Sequence, residues 1–260
     1  MAGPIILKKA EEIEAMARSG AIIGRLYETL APEIKPGMST GELDRMAEEF
    51  IRSHDGAIPA FKGLYGFPGS MCISLNEEVV HGIPSLERIL QEGDILSLDT
   101  GVKLNGWCSD SAWTFPVGEV DAVSQQLLEV TERALDAAVE ASRVGGHIGD
   151  IGAAVEGAVR GSGFSIIRDL VGHGIGREVH EAPQVPNLGR PGQGPALREG
   201  MVLAIEPMIS AGTPRIRTLS DRWTVVIADG ARSAHFEHTV AITATGPQVL
   251  TEARKPANAP

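Results

Sequence analysis

An apolar run closed by an acid occurs twice in this chain. Glu92-Gly93-Asp94-Ile95-Leu96-Ser97-Leu98-Asp99 aligns with Glu199-Gly200-Met201-Val202-Leu203-Ala204-Ile205-Glu206 at an offset of 107 residues. Upstream, Gly37-x-x-x-Gly41-Glu42-Leu43 resembles Gly145-x-x-x-Gly149-Asp150-Ile151 at an offset of 108. Two segments at nearly one spacing imply two halves of the same build. The hydrophobic pattern repeats as well. Ile13, Met16, Ala17, Ile23, Leu26 and Leu30 recur at helical spacing within residues 8–31. Lys35-Pro36-Gly37 ends that stretch, and Ser39 precedes Glu42 by three, the spacing of a capping box. Residues 122–143 and 148–162 predict two further helices. Residues 71–75 and 94–116 read as strands, and most of the remainder to about 250 as strand and turn. The order helix, helix, strands, stated twice, predicts an α+β fold: two αα-ββ halves, about 8–118 and 119–250, related by a pseudo-twofold around a shared sheet. The whole of 1–260 is then one domain, and the polar, Pro-containing tail 252–260 is expected to fray.

With 260 residues the chain can bury a core without disulfides. Its net charge of −11 argues against a direct nucleic-acid substrate. No apolar run is long enough to predict a membrane span, and Met1–Ala10 has no apolar core ahead of its charges, so no secretory signal is expected. The two cysteines, Cys72 and Cys108, form no metal-binding or redox spacing and fit a cytoplasmic chain with reduced thiols.

Asp99 and Glu206 end runs that require burial. A buried carboxylate is costly unless paired or bound to metal, so each is a strand-end acid reaching solvent, a salt-bridge partner or a ligand. Asp110 narrows the choice. Asn105-Gly106 between alternating residues predicts a two-residue hairpin turn. In that register Gly101 faces Asp110 and Asp99 faces Ala112, so Asp99 and Asp110 share a face as diagonal neighbours, roughly 7–8 Å apart. Two like charges there call for a cation, with Gly101 leaving room for it. In 233–240, alternation puts His235, Glu237 and Thr239 on one face and Phe236, His238 and Val240 on the other.

His54 and His147 read as ordinary. His173 and His180 lie in Gly172-His173-Gly174-Ile175-Gly176 through His180-Glu181-Ala182-Pro183. Pro183 and Pro186 exclude a following helix, and with it dinucleotide binding. No zinc-protease, nucleophile-elbow or phosphate-loop motif is present. The candidates Asp99, Asp110, Glu206, Glu237 and one or more histidines make a hard, oxygen-rich site, which suits Mn²⁺, Fe²⁺ or Co²⁺ better than a structural zinc. Four negative charges point to two ions sharing carboxylates.

Together with Asn76-Glu77-Glu78-Val79-Val80-His81-Gly82-Ile83-Pro84, Ile205-Glu206-Pro207 and Phe236-Glu237-His238-Thr239, these motifs resemble type I methionine aminopeptidases of the short bacterial form, over residues 5–250. The resemblance implies the two-halved pita-bread fold, with a curved antiparallel sheet. It implies removal of the N-terminal methionine from nascent proteins, with a small second residue preferred, in the cytoplasm, by a monomer in transient contact with the ribosome. It further implies two divalent ions (Co, Mn, Fe(II), Zn or Ni). Asp99 would bind one, His173 and Glu206 the other, and Asp110 and Glu237 both. Glu206 would accept a proton from the attacking water, His180 would hydrogen-bond the carbonyl, and His81 the scissile amide. Phe67, Cys72 and Trp223 would line the methionine pocket. Trp107-Cys108-Ser109, Val179 and His235 depart from common members. The rivals are a proline-directed peptidase of the same fold, whose first ligand usually follows a large N-terminal domain, and a non-catalytic binding protein, which should have lost ligands. The 26 residues from His180 to Glu206 leave no space for the insertion of type II relatives.

Overall fold

A computed structural model describes residues 3–252; most of the tail expected to fray lies outside them. Helix α1 (Ala10–Leu30) buries Met16, Ile23, Leu26 and Leu30, one stripe at three-to-four spacing. Helix α2 (Thr40–Arg52) starts at the predicted capping box. Ser39 Oγ accepts from the Glu42 N–H, and Glu42 Oε2 accepts from the Ser39 N–H at 2.8 Å. Such a cap contributes about 1 kcal/mol. The strands of this half are β1 (Ala57–Pro59), β2 (Cys72–Leu75), β3 (Glu78–Val80), β4 (Ile95–Leu104) and β5 (Trp107–Pro116).

The second half opens with α3 (Ala122–Ala141), capped by Asp121, and α4 (Ile148–Val159). The latter stops short of 162, ahead of the left-handed Gly161. Ten short strands follow: β6 (Ser165–Ile166), β7 (Gly172–Gly174), β8 (Glu181–Val185), β9 (Val202–Ile205), β10 (Met208–Ser210), β11 (Ile216–Thr218), β12 (Val225–Ile227), β13 (Ser233–His235), β14 (His238–Thr243) and β15 (Gly246–Val249). The N-terminal positions of α2 and α4 sit alike: Ser39 bridges to Ile89, and His147 to Ala196.

The strands form four hydrogen-bonded sheets rather than one continuous ladder. β4 pairs with β1, β2 and β5, and a five-stranded sheet runs β15-β14-β9-β7-β8. The smaller sheets are β13-β10-β6 and β11-β12-β3. Helices α1 and α2 cover one face of the first sheet, where Ile23, Leu26, Leu43 and Ile51 meet Ile73, Leu96, Leu98 and Val102. Helices α3 and α4 cover the five-stranded sheet, with Leu127, Leu135, Ile151 and Val155 in one core with Leu203, Ile205, Val240 and Ile242.

The hairpin register is the one the Asn105-Gly106 turn predicts: Asp99 opposes Ala112 and Gly101 opposes Asp110. The acids do not follow their leucines toward the helices, however. Side chains alternate along a strand, so Asp99 leaves the face opposite to Leu96 and Leu98, and Glu206 the face opposite to Leu203 and Ile205. That inner face is buried by the other half of the chain. The free edge of β5 meets residues 235–239, and hydroxyls stand in for most ladder bonds. Glu237 N–H donates to Ala112 O at 2.8 Å, Ser111 Oγ to Glu237 O, Thr114 Oγ1 to His235 O, and Asp110 N–H to Thr239 Oγ1. The stretch 233–240 is therefore not one strand. It leaves β13, which pairs with β10, and enters β14, which pairs with β9.

Gly20 marks the tightest approach between α1 and the C-terminal segment. A Cβ there would stand 2.1 Å from Leu250 O. Alanine normally stabilises a helix interior by ~1 kcal/mol over glycine, but overpacking costs ~1–3 kcal/mol. The net cost is up to ~2 kcal/mol, so Gly20→Ala is expected to lower Tm by up to roughly 8 °C in a thermal melt. An unchanged or higher Tm would show that this contact yields freely.

Candidate metal centre

Beneath the junction of the halves lies a cavity of about 380 Å³, with Asp99, Asp110, His173, Glu206, His235 and Glu237 in its wall. Asp99 and Asp110 come from β4 and β5. His173 lies on β7, opposite Ala204 of β9. Glu206 follows β9 directly, and Glu237 precedes His238, which pairs with Ile205. The ladder β7-β9-β14 thus delivers His173, Glu206 and Glu237 to one place, and the β5 edge brings the aspartates against them.

His173 Nε2 stands 3.6 Å from Glu206 Oε1 and 3.9 Å from Asp110 Oδ2. Donor atoms of Asp110, His173 and Glu237 all lie within 4.8 Å of one another. Ligands at ~2.0–2.2 Å from one ion stand at most about 4.4 Å apart, so small side-chain rotations would let these three share a cation. Asp99 Oδ1, Asp110 Oδ1 and Glu237 Oε1 are buried without a hydrogen-bond partner. Buried polar atoms seldom lack partners, and three unpartnered carboxyl oxygens facing one cavity suit the donor set of a cation. Burial, reinforced by Asp110, holds Asp99, Glu206 and Glu237 well above the usual carboxylate range. Burial lifts Asp110 to about 7. It also drives His173 and His235 down to about 3, so both imidazoles are neutral. A divalent ion reverses this cost for the acids, and the donor set fits one. The space above Gly101 is not that ion's seat: a Cβ there would lie 2.7 Å from the ring of Phe61.

His81 follows β3 with φ +60. The turn is pinned against β2, because Gly82 O accepts from Ile73 N–H at 2.9 Å and a Cβ on Gly82 would meet Ile73 O at 2.1 Å. The ring of His81 stands edge-on to Trp223, 6.3 Å between centroids, and Trp223 stands edge-on to Phe67 at 5.2 Å. Phe67, Trp223 and the buried Cys72 form an apolar wall beside the acids. His180 is carried by the loop before β8. Glu181 ties that loop, accepting from Arg177 N–H and, in a buried ion pair at 2.7 Å, from Lys8 Nζ. The His180 ring lies 4.5 Å from that of His173.

All ten predicted site residues therefore border one cavity. Sequence reasoning missed Phe61, Leu64 and Tyr65, which also line it. Tyr65 is 76 % exposed, has φ +51 and lies with its ring stacked 5.9 Å from His180. The sequence signal there is the Gly-rich stretch 63–69, which carries Tyr65 between the left-handed Gly63 and Gly66. His54, His147 and His238 stay out of the cavity wall.

A match to metallopeptidase family M24 spans residues 14–244. A methionine aminopeptidase of Clostridium perfringens is 52 % identical over 247 residues, 95 % of this chain and 98 % of that one. Methionine aminopeptidase 1 of Bacillus subtilis is 51 % identical, covering 95 % and 99 %. The crystal structure of a methionine aminopeptidase from Thermotoga maritima superposes with TM-score 0.94 at 42 % identity, covering 96 % of this chain and all of that one. A prolidase from Pyrococcus furiosus, at 24 % identity and TM-score 0.78, shares the pita-bread fold.

Proposed function

The chain belongs to metallopeptidase family M24, and from that premise we propose how it acts. It is a metal-dependent aminopeptidase that removes N-terminal methionine, as its near full-length relatives at about 50 % identity are named for doing. What carries the assignment of residues is the convergence of four buried carboxyls and a neutral His173, with three carboxyl oxygens left unpartnered.

Asp99 would hold one ion, His173 and Glu206 a second, and Asp110 and Glu237 would be shared. The number two follows from four acidic donors and from aminopeptidases being a known class of two-ion enzymes. When bound, the ions supply Lewis acidity to the peptide carbonyl and acidify the attacking water. Glu206 takes the proton as the water oxygen bonds to the carbonyl carbon. His180 hydrogen-bonds the carbonyl oxygen as it gains negative charge, a contact that strengthens toward the transition state. His81 hydrogen-bonds the scissile amide, and the C–N bond breaks as the proton held by Glu206 passes to the leaving amine. The wall of Phe67, Cys72 and Trp223 excludes water and seats the methionine side chain. Tyr65 over His180 narrows the exit, which favours a small second residue. The natural substrates are then nascent polypeptides in the cytoplasm, met transiently at the ribosome by a monomeric enzyme. No described helix is long and apolar enough to cross a membrane.

Met-Ala-Ser is expected to be cleaved in the presence of Mn²⁺ or Co²⁺, with sharply lower rates when a large residue replaces Ala. Hydrolysis of Xaa-Pro peptides with Met-Ala-Ser left intact would move the protein to the proline-directed branch of this fold.

A further inference from the structure

His235 stands at the acidic end of the cavity with no task in the scheme above. Its side chain is 2 % exposed, and neither ring nitrogen has a hydrogen-bond partner. Its Nε2 lies 3.8 Å from Glu206 Oε2 and 3.8 Å from Glu237 Oε2. That is too long for a hydrogen bond, yet it is equidistant from two acids.

His173 shows what a ligand imidazole looks like here. Its Nδ1 lies 2.9 Å from Gly174 O. A carbonyl only accepts, so the proton sits on Nδ1 and the Nε2 lone pair faces Asp110 and Glu206. Metal-binding histidines are regularly fixed in this way by a partner for the other nitrogen. His235 has no acceptor at Nδ1. A proton placed there would be a buried, unpaired donor, and the Nε2 lone pair would confront two carboxyl groups. A proton on Nε2 removes both penalties, so the two histidines carry opposite tautomers.

We propose that His235 is a positioning residue that donates its Nε2–H to the outer oxygens of Glu206 and Glu237, setting both acids in the orientation that takes up metal. The inference rests on the assignment of those acids as ligands. A small rotation of either carboxylate toward the ring brings it to hydrogen-bond distance and leaves its other oxygen free for the ion.

Long-range ¹H–¹⁵N correlation spectra of the Zn²⁺-loaded protein read the tautomers directly, without any substitution. The expected result is Nε2–H for His235 and Nδ1–H for His173. A proton on Nδ1 of His235 would overturn the proposal. Chelator-competition titrations with Zn²⁺ and Co²⁺ supply the second readout. His235→Gln retains an N–H donor and should stay within roughly 3-fold of wild type, whereas His235→Leu should bind about 10–100-fold more weakly. Equal affinity of His235→Leu and wild type would overturn the proposal. So would a shared loss in both variants with a changed Co²⁺ visible spectrum, which would make His235 a direct ligand. Failure of the wild-type protein to bind either metal would instead refute the assignment of the acids beneath it.

Discussion

Alanine at Asp110 or Glu237 is expected to leave a protein that holds neither metal equivalent firmly, whereas Asp99→Asn keeps up to one. The difference follows from position. Asp99 reaches the cavity from the other strand of the hairpin, diagonal to Asp110 across Gly101, and in the proposed assignment would serve one ion only. Its loss leaves His173, Glu206, Asp110 and Glu237 around the other. Asp110 and Glu237 lie with His173 in one group of donor atoms within 4.8 Å of one another, and in the proposed assignment each would be shared. Transition-state charge stabilisation by an ion amounts to several kcal/mol, so all three variants should lose roughly 10³-fold or more in kcat/KM at limiting metal. Elemental analysis across a metal titration separates them; equal loss of metal in all three would remove the distinction between shared and unshared acids. Thermal melts add a change of sign. Without metal, wild type buries four carboxyls that crowd one another, so deleting one should raise Tm. With excess Mn²⁺ the order should reverse, because a ligand stabilises only the protein that binds it.

Replacement of His180 or His81 by Ala should slow turnover by about 10²–10³-fold, the usual cost of removing one preorganised polar contact to the reacting peptide group. Metal content should stay at the wild-type level, because among the described residues neither histidine stands within ion-pair distance of a carboxylate. Both rings are in place before substrate arrives. The turn pinned against β2 fixes His81, and the loop tied by Glu181 fixes His180. The loss should fall mainly on kcat, since the His180 contact strengthens as the carbonyl oxygen gains charge and the His81 contact as the C–N bond breaks. A variant that lost stoichiometric metal would reassign its histidine as a ligand.

The parts of this molecule that were legible in the sequence are those set by local chemistry. The Ser39–Glu42 box placed the start of α2 to the residue, and the Asn105-Gly106 turn placed every pair of the β4–β5 ladder, because hairpin register is fixed by the turn. That Asp99 and Asp110 share a face followed from the turn alone. Their meeting with Glu206 and Glu237 depends on a long-range junction that the strand acids only suggested, and the family resemblance alone singled out His173 among the histidines. Nothing local reports that the β5 edge is sealed by hydroxyls of Ser111, Thr114 and Thr239, or that residues 236–237 carry the chain from one sheet to another. The ring of Phe61 over Gly101 and the Tyr65–His180 stack likewise arise from a loop folding back over the hairpin. A glycine-rich segment announces the turn without saying what it will cover. Parity along β4 was available from the start, and it already placed Asp99 opposite the leucines that bury the strand.

The central claim is that these five side chains hold two ions in one cavity. An anomalous-difference map of crystals grown with Mn²⁺, collected at the manganese edge, tests it most directly. The account predicts two peaks, both touching Asp110 and Glu237, one also touching Asp99 and the other His173 and Glu206. A single peak at saturating metal, or two peaks without Asp110 and Glu237 between them, would contradict it.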